Sequence, residues 1–290
     1  MPQSPGGATD AIGRLVANEL SRELQASVVV ENKEGAAGVI GTQGVARSAP
    51  DGYTLLMAGN TLFTTQPILR KNLPYDPLKD FDPVAQLVAG SHVMVVKPDS
   101  PFNSVGDVVR AAAAKPGKMS YGSGGAGQTV HLSAELFLLQ ANIKMLHVPY
   151  RGAPLALNGL LGGDVDLIFD TTPSAAPRIR SGQVKALAQT SKTRSPDLPN
   201  VPTMAEQGFP NYEVLWWTAL YAPKGTPPEV LATLEQATRK VLASDAVKKK
   251  LADLGMSADF TSGSEVGKHI VRDTAEWAET IKKAGITLEP

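Results

Sequence analysis

Apolar positions along this chain fall into two alternating rhythms. Ile12, Leu15, Val16, Leu20 and Leu24 recur at helical spacing, and Val28, Val29 and Val30 follow as a β-branched run, which predicts a helix and then a short strand. The strand-like half returns at Thr54 to Ala58, at Leu87 to Val96 and at Met119 to Ser123, the last leading into an apolar helix through Leu132, Leu136 and Phe137. Further copies are Leu146 to Val148 before a helix near Leu155, and Val165 to Phe169 before a short helix near Ser174. Strands separated by helical stretches predict parallel sheets covered by helices on both faces, an α/β architecture.

The C-terminal third changes character. Thr226-Pro-Pro-Glu229 has the pattern of a capping box with prolines at the first helical positions, and Val230, Leu234 and Val241 mark one stripe behind it. Ser262-Gly-Ser-Glu265 repeats the device ahead of Val266, Ile270, Trp277 and Ile281, a stripe ending at Gly285. Val247 to Leu254 predicts a shorter helix between the two. Breaks rich in proline and glycine near Lys97–Pro101 and Ala222–Pro227 each follow an extended apolar run. Either both runs cross between domains and form a hinge, making the middle segment an insertion, or the breaks are ordinary surface loops.

At 290 residues the chain exceeds the usual single core, which favours two domains. Lys plus Arg equals Asp plus Glu at 28 each, so there is no net field to attract nucleic acid or an anionic membrane, and charge recognition must be local. Cysteine is absent, which removes thiol catalysis, disulfides, iron–sulfur clusters and thiolate zinc sites. No apolar run approaches the ~20 residues needed to span a bilayer. No basic segment followed by an apolar one opens the chain as a secretory signal would.

Two glycine-rich loops open helices: Ser4-Pro-Gly-Gly-Ala-Thr-Asp10, and Gly122-Ser-Gly-Gly-Ala-Gly-Gln-Thr129 after a strand. Glycine lets backbone approach a ligand closely, and a helix's first turn presents unpaired N–H donors at the positive end of its dipole. The second loop lacks the Lys-Ser/Thr pair of a nucleotide-binding loop, so a carboxylate fits better than a phosphate. Plain connecting turns are the alternative for each. Gly35, Gly38, Gly41 and Gly44 have the wrong spacing for a dinucleotide fingerprint and read as tight helix packing. Asp10 suits dipole pairing in a first helical turn, since a carboxylate aimed at an anion site would repel the ligand. His92, His131, His147 and His269 form no metal-binding pair, and no G-x-S-x-G elbow is present. No metal or cofactor is expected.

Taken together and in order, Pro5-Gly-Gly-Ala-Thr-Asp10, Gly35-Ala-Ala-Gly38 with Gly41, Ala49-Pro-Asp-Gly-Tyr-Thr54, Leu73-Pro-Tyr-Asp76 with Asp80-Phe81, Tyr121-Gly-Ser-Gly124 with His131-Leu132, His147-Val-Pro-Tyr-Arg-Gly152 and Val201-Pro-Thr203 resemble the Bug proteins. These are the substrate-binding components associated with tripartite tricarboxylate transporters, and the resemblance spans nearly the whole chain. It implies a type II periplasmic-binding-protein fold, α/β, with two lobes of mixed sheets flanked by helices and a two-strand hinge. The lobes would be 1–98 plus 221–290, and 99–220 as the insertion.

The resemblance also implies a cleft in which the two glycine-rich loops grip one carboxylate. By position, Ser4, Gly6, Gly7, Ala8 and Thr9 would form the first grip, and Ser123, Gly124, Gly127, Gln128 and Thr129 the second. Asn60 and Thr61, Tyr150, and Asp170 with Thr171 and Thr172 would meet the rest of the ligand and set selectivity. The implied protein is a non-enzymatic, periplasmic monomer that takes a mono-, di- or tricarboxylate, an aromatic acid or an amino acid. Its implied partners are the membrane components of such a transporter, and no nucleic acid. Bug proteins carry a signal peptide and a first strand ahead of the proline-glycine-glycine loop. Here Pro5 stands four residues from Met1, so the signal and most of that strand are expected to be missing. Two rivals remain: a sensory protein signalling to a membrane kinase, and a small-acid or ester hydrolase with His131 as base and Ser123 or Ser4 as nucleophile.

Overall fold

The computed structural model describes residues 1–3, 5–6 and 8–287. The chain opens with α1 (Ala8–Glu23), a 3-10 turn (Ala36–Gly38), α2 (Val39–Ala46), β1 (Leu56–Gly59), α3 (Thr61–Thr64), α4 (Gln66–Leu69) and the long β2 (Phe81–Val96). Its middle holds α5 (Val105–Ala114), β3 (Ser120–Ser123), α6 (Thr129–Ala141), β4 (Leu146–Pro149), α7 (Ala153–Gly162), β5 (Leu167–Thr171), α8 (Thr172–Arg180) and β6 (Lys185–Gln189). It ends with β7 (Leu215–Pro223), α9 (Pro228–Ala243), α10 (Asp245–Asp253), β8 (Ser257–Ser262) and α11 (Gly263–Ala284). These elements form two compact units, Met1–Ala89 with Trp217–Trp277, and Gly90–Trp216 with Ala278–Pro290. β2, β7 and α11 therefore each contribute residues to both.

In the first unit β1 pairs antiparallel with β7, Leu56 opposite Tyr221. The first half of β2 pairs antiparallel with β8, Ala85 opposite Ser262. One face is closed by aromatic packing: Phe63 stacks on Tyr221 with centroids 3.8 Å apart, and Phe81 meets Phe63 edge-on at 5.2 Å. The predicted α11 stripe supplies Val266 and Ile270 to that core, both buried.

The second unit has the strand order β4-β3-β5-β2-β6. β3 runs parallel to β4 and β5, whereas the second half of β2 is antiparallel to β5 and β6. Val93 and Val95 of β2, Ile168 of β5 and Leu160 of α7 fill its core. Among the described strand pairings, the parallel ladders expected from alternation are confined to β4-β3-β5, so the second unit's sheet is mixed, whereas β1–β7 and β2–β8 of the first unit are antiparallel. Alternation identifies which segments are strands but not the direction of a strand that returns from a remote part of the chain.

Two local expectations are corrected. Val28–Val30 joins no ladder, and Val29 is 83% exposed. The extended chain finds a neighbour only farther on, where Met1 N–H₃⁺ donates to Glu31 C=O at 2.7 Å and Lys33 N–H to Met1 C=O at 2.8 Å. The α9 capping box does not form, because Pro227 occupies the cap position and the Thr226 hydroxyl donates to Pro223 C=O at 2.8 Å. A reciprocal box forms instead at Ser104 and Asp107, opening α5.

Candidate functional site

In the first unit, Ser4 and Gly7 lie outside the described residues, as does the side chain of Ala8. Gly6 takes φ +84°, and its N–H donates to Asp10 Oδ2 at 3.0 Å. The same carboxylate receives Arg14 Nε at 2.9 Å and Asn32 Nδ2 at 2.9 Å. These donors hold the Asp10 carboxyl well below its usual range, Arg14 contributing most. Asp10 is thus an anchor that ties the loop to its own helix, a more specific role than dipole pairing. Thr9 is half-buried in the first turn of α1.

Thr61 lines a hollow of about 370 Å³ with Gln3, Glu34, Gly35, Ala37, Gly38 and Gly59 among its neighbours. Asn60 is buried beside it and anchored through its backbone, its N–H donating to Trp217 C=O at 3.0 Å. Close packing is found at Gly41, Gly35 and Gly38, where a Cβ would sit 2.4 Å from Lys33 C=O, 2.6 Å from Ile40 Cδ1 and 3.1 Å from Leu62 Cδ1, but not at Gly44, which has nothing within 4 Å. Gly35 and Gly38 also flank Ala36 and Ala37 in a run of four positive-φ residues, φ +125°, +48°, +56° and +93°. Two consecutive alanines in that region are strained, and such strain concentrates where backbone faces a ligand.

In the second unit the loop from Gly122 to Gln128 joins β3 to α6 and is held from behind by histidines. Ser123 is only 1% exposed, with Oγ 2.7 Å from His147 Nε2 and accepting Gly125 N–H at 3.3 Å. Gly127 N–H donates to His131 Nδ1 at 3.0 Å, so the His131 proton sits on Nε2, facing Glu135 Oε1 at 3.6 Å. The Tyr121 hydroxyl donates to the same carboxylate oxygen. Tyr121, His147 and His131 stack in a ladder, the two imidazoles 4.0 Å apart and His147 and Tyr121 4.9 Å apart. Burial, with His131 alongside, pushes His147 down to about 4, so its ring is neutral near pH 7.

Gly124 is buried against the following loop, its C=O receiving Gly152 N–H at 2.9 Å. Gln128 is exposed beside the first turn of α6, and Thr129 is 8% exposed within it. Tyr150 packs its ring into the same unit, over Gly159 and Gly122. Asp170, at the end of β5, accepts from Thr171 N–H at 2.8 Å and Ser174 Oγ at 2.7 Å, and burial raises its pKa. The Thr172 hydroxyl is engaged with Ser91, and Thr171 is partly exposed at the N-cap of α8.

The structure thus brings Ser123, Gly124, Gly127, Gln128 and Thr129 together at the head of α6, and Thr61 with Gly59 at the hollow. Sequence reasoning missed the supports His147, His92, Ser133 and Glu135, and the hollow's Gly35–Gly38 wall. Part of the signal was there: Thr129 and Ser133 are four apart on one helix face, and Tyr121 and His147 face each other in the β3–β4 register. His131 does not touch Ser123 as the hydrolase rival requires; His147 does, and Ser123 is closed to solvent.

A family model described as tripartite tricarboxylate transporter family receptor matches residues 12–286. An R. palustris protein solved with adipate is 34% identical, with 99% of this chain and 96% of that one covered and a TM-score of 0.87. The periplasmic binding protein BugD is 35% identical over 99% and 96% of the two chains, TM-score 0.83. MatC from Rhodopseudomonas palustris, solved with bound malate, is 29% identical over 97% and 96%, TM-score 0.82.

Proposed function

This chain belongs to the tripartite tricarboxylate transporter family of receptors, and from that premise we propose that it captures a small organic carboxylate in the periplasm for delivery to a membrane transporter. The observation that carries the proposal is the likeness over 99% of its length to a protein solved with adipate. Malate bound to MatC widens the supported ligand class from six-carbon to four-carbon diacids. The periplasmic assignment draws on the likeness to BugD. Among the described residues no helix is long and apolar enough to cross a membrane.

The loops that open α1 and α6 are the proposed carboxylate grips. At α6, first-turn amides left unsatisfied by the helix ladder, the exposed Gln128 and the Thr129 hydroxyl supply the donors. Ser123, Gly127 and Gly6 have their polar groups directed at His147, His131 and Asp10, so their proposed part is to shape the loops. Thr61 and Thr171 are the proposed selectivity positions, backed by Asn60, Tyr150, Asp170 and Thr172. A micromolar dissociation constant corresponds to about −8 kcal/mol, and a few charge-assisted hydrogen bonds at ~1.5–3 kcal/mol each with modest apolar contact supply it.

Calorimetric titration against linear mono- and diacids, hydroxy acids, tricarboxylates, aromatic acids and amino acids tests the proposal. Saturable binding of one class is expected. A folded sample that binds none of them would falsify it.

A further inference from the structure

His92, on β2 within the second unit, is a buried ring flanked by two hydroxyl groups, and it is not among the ligand contacts proposed above. Its Nε2 lies 3.2 Å from Thr129 Oγ1 and its Nδ1 3.0 Å from Ser133 Oγ. Ser133 Oγ in turn lies 2.9 Å from Thr129 C=O, the usual four-residue back-bond on a helix. The ring is fully enclosed, and burial pushes it down to about 3, so it is neutral with one proton to place on one of two nitrogens.

Proton inventory leaves two arrangements. With the ring proton on Nδ1, that N–H donates to Ser133 Oγ, the Ser133 hydroxyl donates to Thr129 C=O, and the Thr129 hydroxyl donates to bare Nε2. All three links are made, and the Thr129 proton is committed inward. With the ring proton on Nε2, the ring donates to Thr129 Oγ1 and receives the Ser133 hydroxyl at Nδ1. The back-bond is given up, and the Thr129 proton is released to point elsewhere. Each arrangement carries the same three protons, so conversion by exchange takes up and releases none overall.

We propose that His92 is a positioning residue that turns the Thr129 hydroxyl toward a bound carboxylate, its ring proton residing on Nδ1 in the ligand-free protein and on Nε2 in the ligand-bound one. This rests on the assignment of the α6 loop as a carboxylate grip. Without ligand the first arrangement wins by one hydrogen bond. With a carboxylate in place the second replaces that neutral bond by a charge-assisted one, which is the stronger kind. The anion selects the tautomer because it interacts differently with the two states.

Nitrogen-15 NMR of the full chain carrying ring-labelled histidine reads the tautomer directly, since a bare ring nitrogen resonates far downfield of a protonated one. His92→Gln assigns the resonances, and His131, whose Nδ1 accepts from Gly127, serves as an internal reference. Titration with the tightest-binding acid of the panel above is expected to exchange the His92 Nδ1 and Nε2 shifts. Thr129→Val, which deletes the hydroxyl donor, is expected to weaken that acid about tenfold. His92→Leu, which leaves the hydroxyl in place without a ring to orient it, is expected to change affinity less, with no further loss when it is added to Thr129→Val because its effect passes through that hydroxyl. His92→Gln, whose amide can still donate to Thr129 Oγ1, keeps most of the affinity. Unmoved ring shifts at saturation, or losses that multiply in the double variant, overturn the proposal while leaving the carboxylate assignment standing. If no acid binds, the assignment itself fails and this proposal with it. The NMR titration of the unsubstituted chain decides the matter even where His92→Leu does not fold.

Discussion

Gly124→Ala is a one-methyl test of how tightly the α6 loop is held. Gly124 does not occupy the left-handed region, so alanine meets no backbone objection there. Taken alone, the stiffer residue would stabilise the fold by about 0.4–1 kcal/mol through the unfolded chain. The added Cβ, however, would lie 2.8 Å from Ala153 N, 3.0 Å from Gln128 Oε1 and 3.1 Å from the Gly152 carbonyl carbon. Two of those atoms are backbone of the neighbouring loop, which is tied to this one by Gly152 N–H to Gly124 C=O and Tyr150 N–H to Ser123 C=O, both 2.9 Å. The loops must therefore part by several tenths of an ångström. Overpacking of that kind costs about 1–3 kcal/mol, which outweighs the entropic gain and leaves a net loss of about 1–2 kcal/mol. Calorimetry should show a melting temperature lowered by roughly 2–6 °C. Titration with a binding acid should show affinity reduced about tenfold, since the Gln128 amide and the first-turn donors shift with the loop. Gly117→Ala is the control: at φ +71° with nothing within 4 Å of its Cβ, it costs about 1–2 kcal/mol through the backbone and leaves affinity unchanged. Wild-type stability and affinity in Gly124→Ala would refute the argument, and so would equal affinity losses in both variants.

Asp10, held deprotonated by Arg14, Gly6 and Asn32, contributes stability that is fully present above about pH 4 and is lost as pH falls toward its depressed folded pKa. Asp10→Asn should therefore melt lower than wild type at pH 7 and show a shallower decline of melting temperature between about pH 4 and pH 2; a parallel curve would remove this carboxylate from the acid response. His92 titrates at about 3 when folded, so the unfolded chain takes up its proton first and stability falls as pH drops from about 6.5 toward that value. Urea denaturation should show the fall growing toward about 1.4 kcal/mol per pH unit on its account, and His92→Gln should remove that share of the slope. Phe63→Ala, which removes the ring stacked on Tyr221, should cost about 3–5 kcal/mol, read as an earlier urea transition; an unmoved midpoint would mean that the stack is not what holds the first unit's core together.

Periodicity located most helices and strands because burial of one face leaves a repeat that needs no knowledge of the partner. The α11 stripe is the clearest case, with Val266, Ile270, Trp277 and Ile281 all buried as their spacing requires. Where an outcome depends on the partner, the repeat is silent. Val28–Val30 has a strand's composition, but a strand exists only where another backbone lies alongside, and β-branching says nothing about that. The same reasoning separates the two halves of the site. The loop proposed as the α6 grip was readable as a loop because glycine spacing and a helix start are local: Gly122 to Thr129 describe their own backbone. The groups that set its geometry come from elsewhere, His147 from β4, 24 residues beyond Ser123, and His92 from β2, 37 residues before Thr129. Each is a lone histidine in an apolar strand, which one sequence cannot distinguish from core filling. The i,i+4 spacing of Thr129 and Ser133 puts two hydroxyls on one helix face. What it could not supply was the imidazole that joins them, the ring whose proposed tautomer change would set the direction of the Thr129 hydroxyl proton.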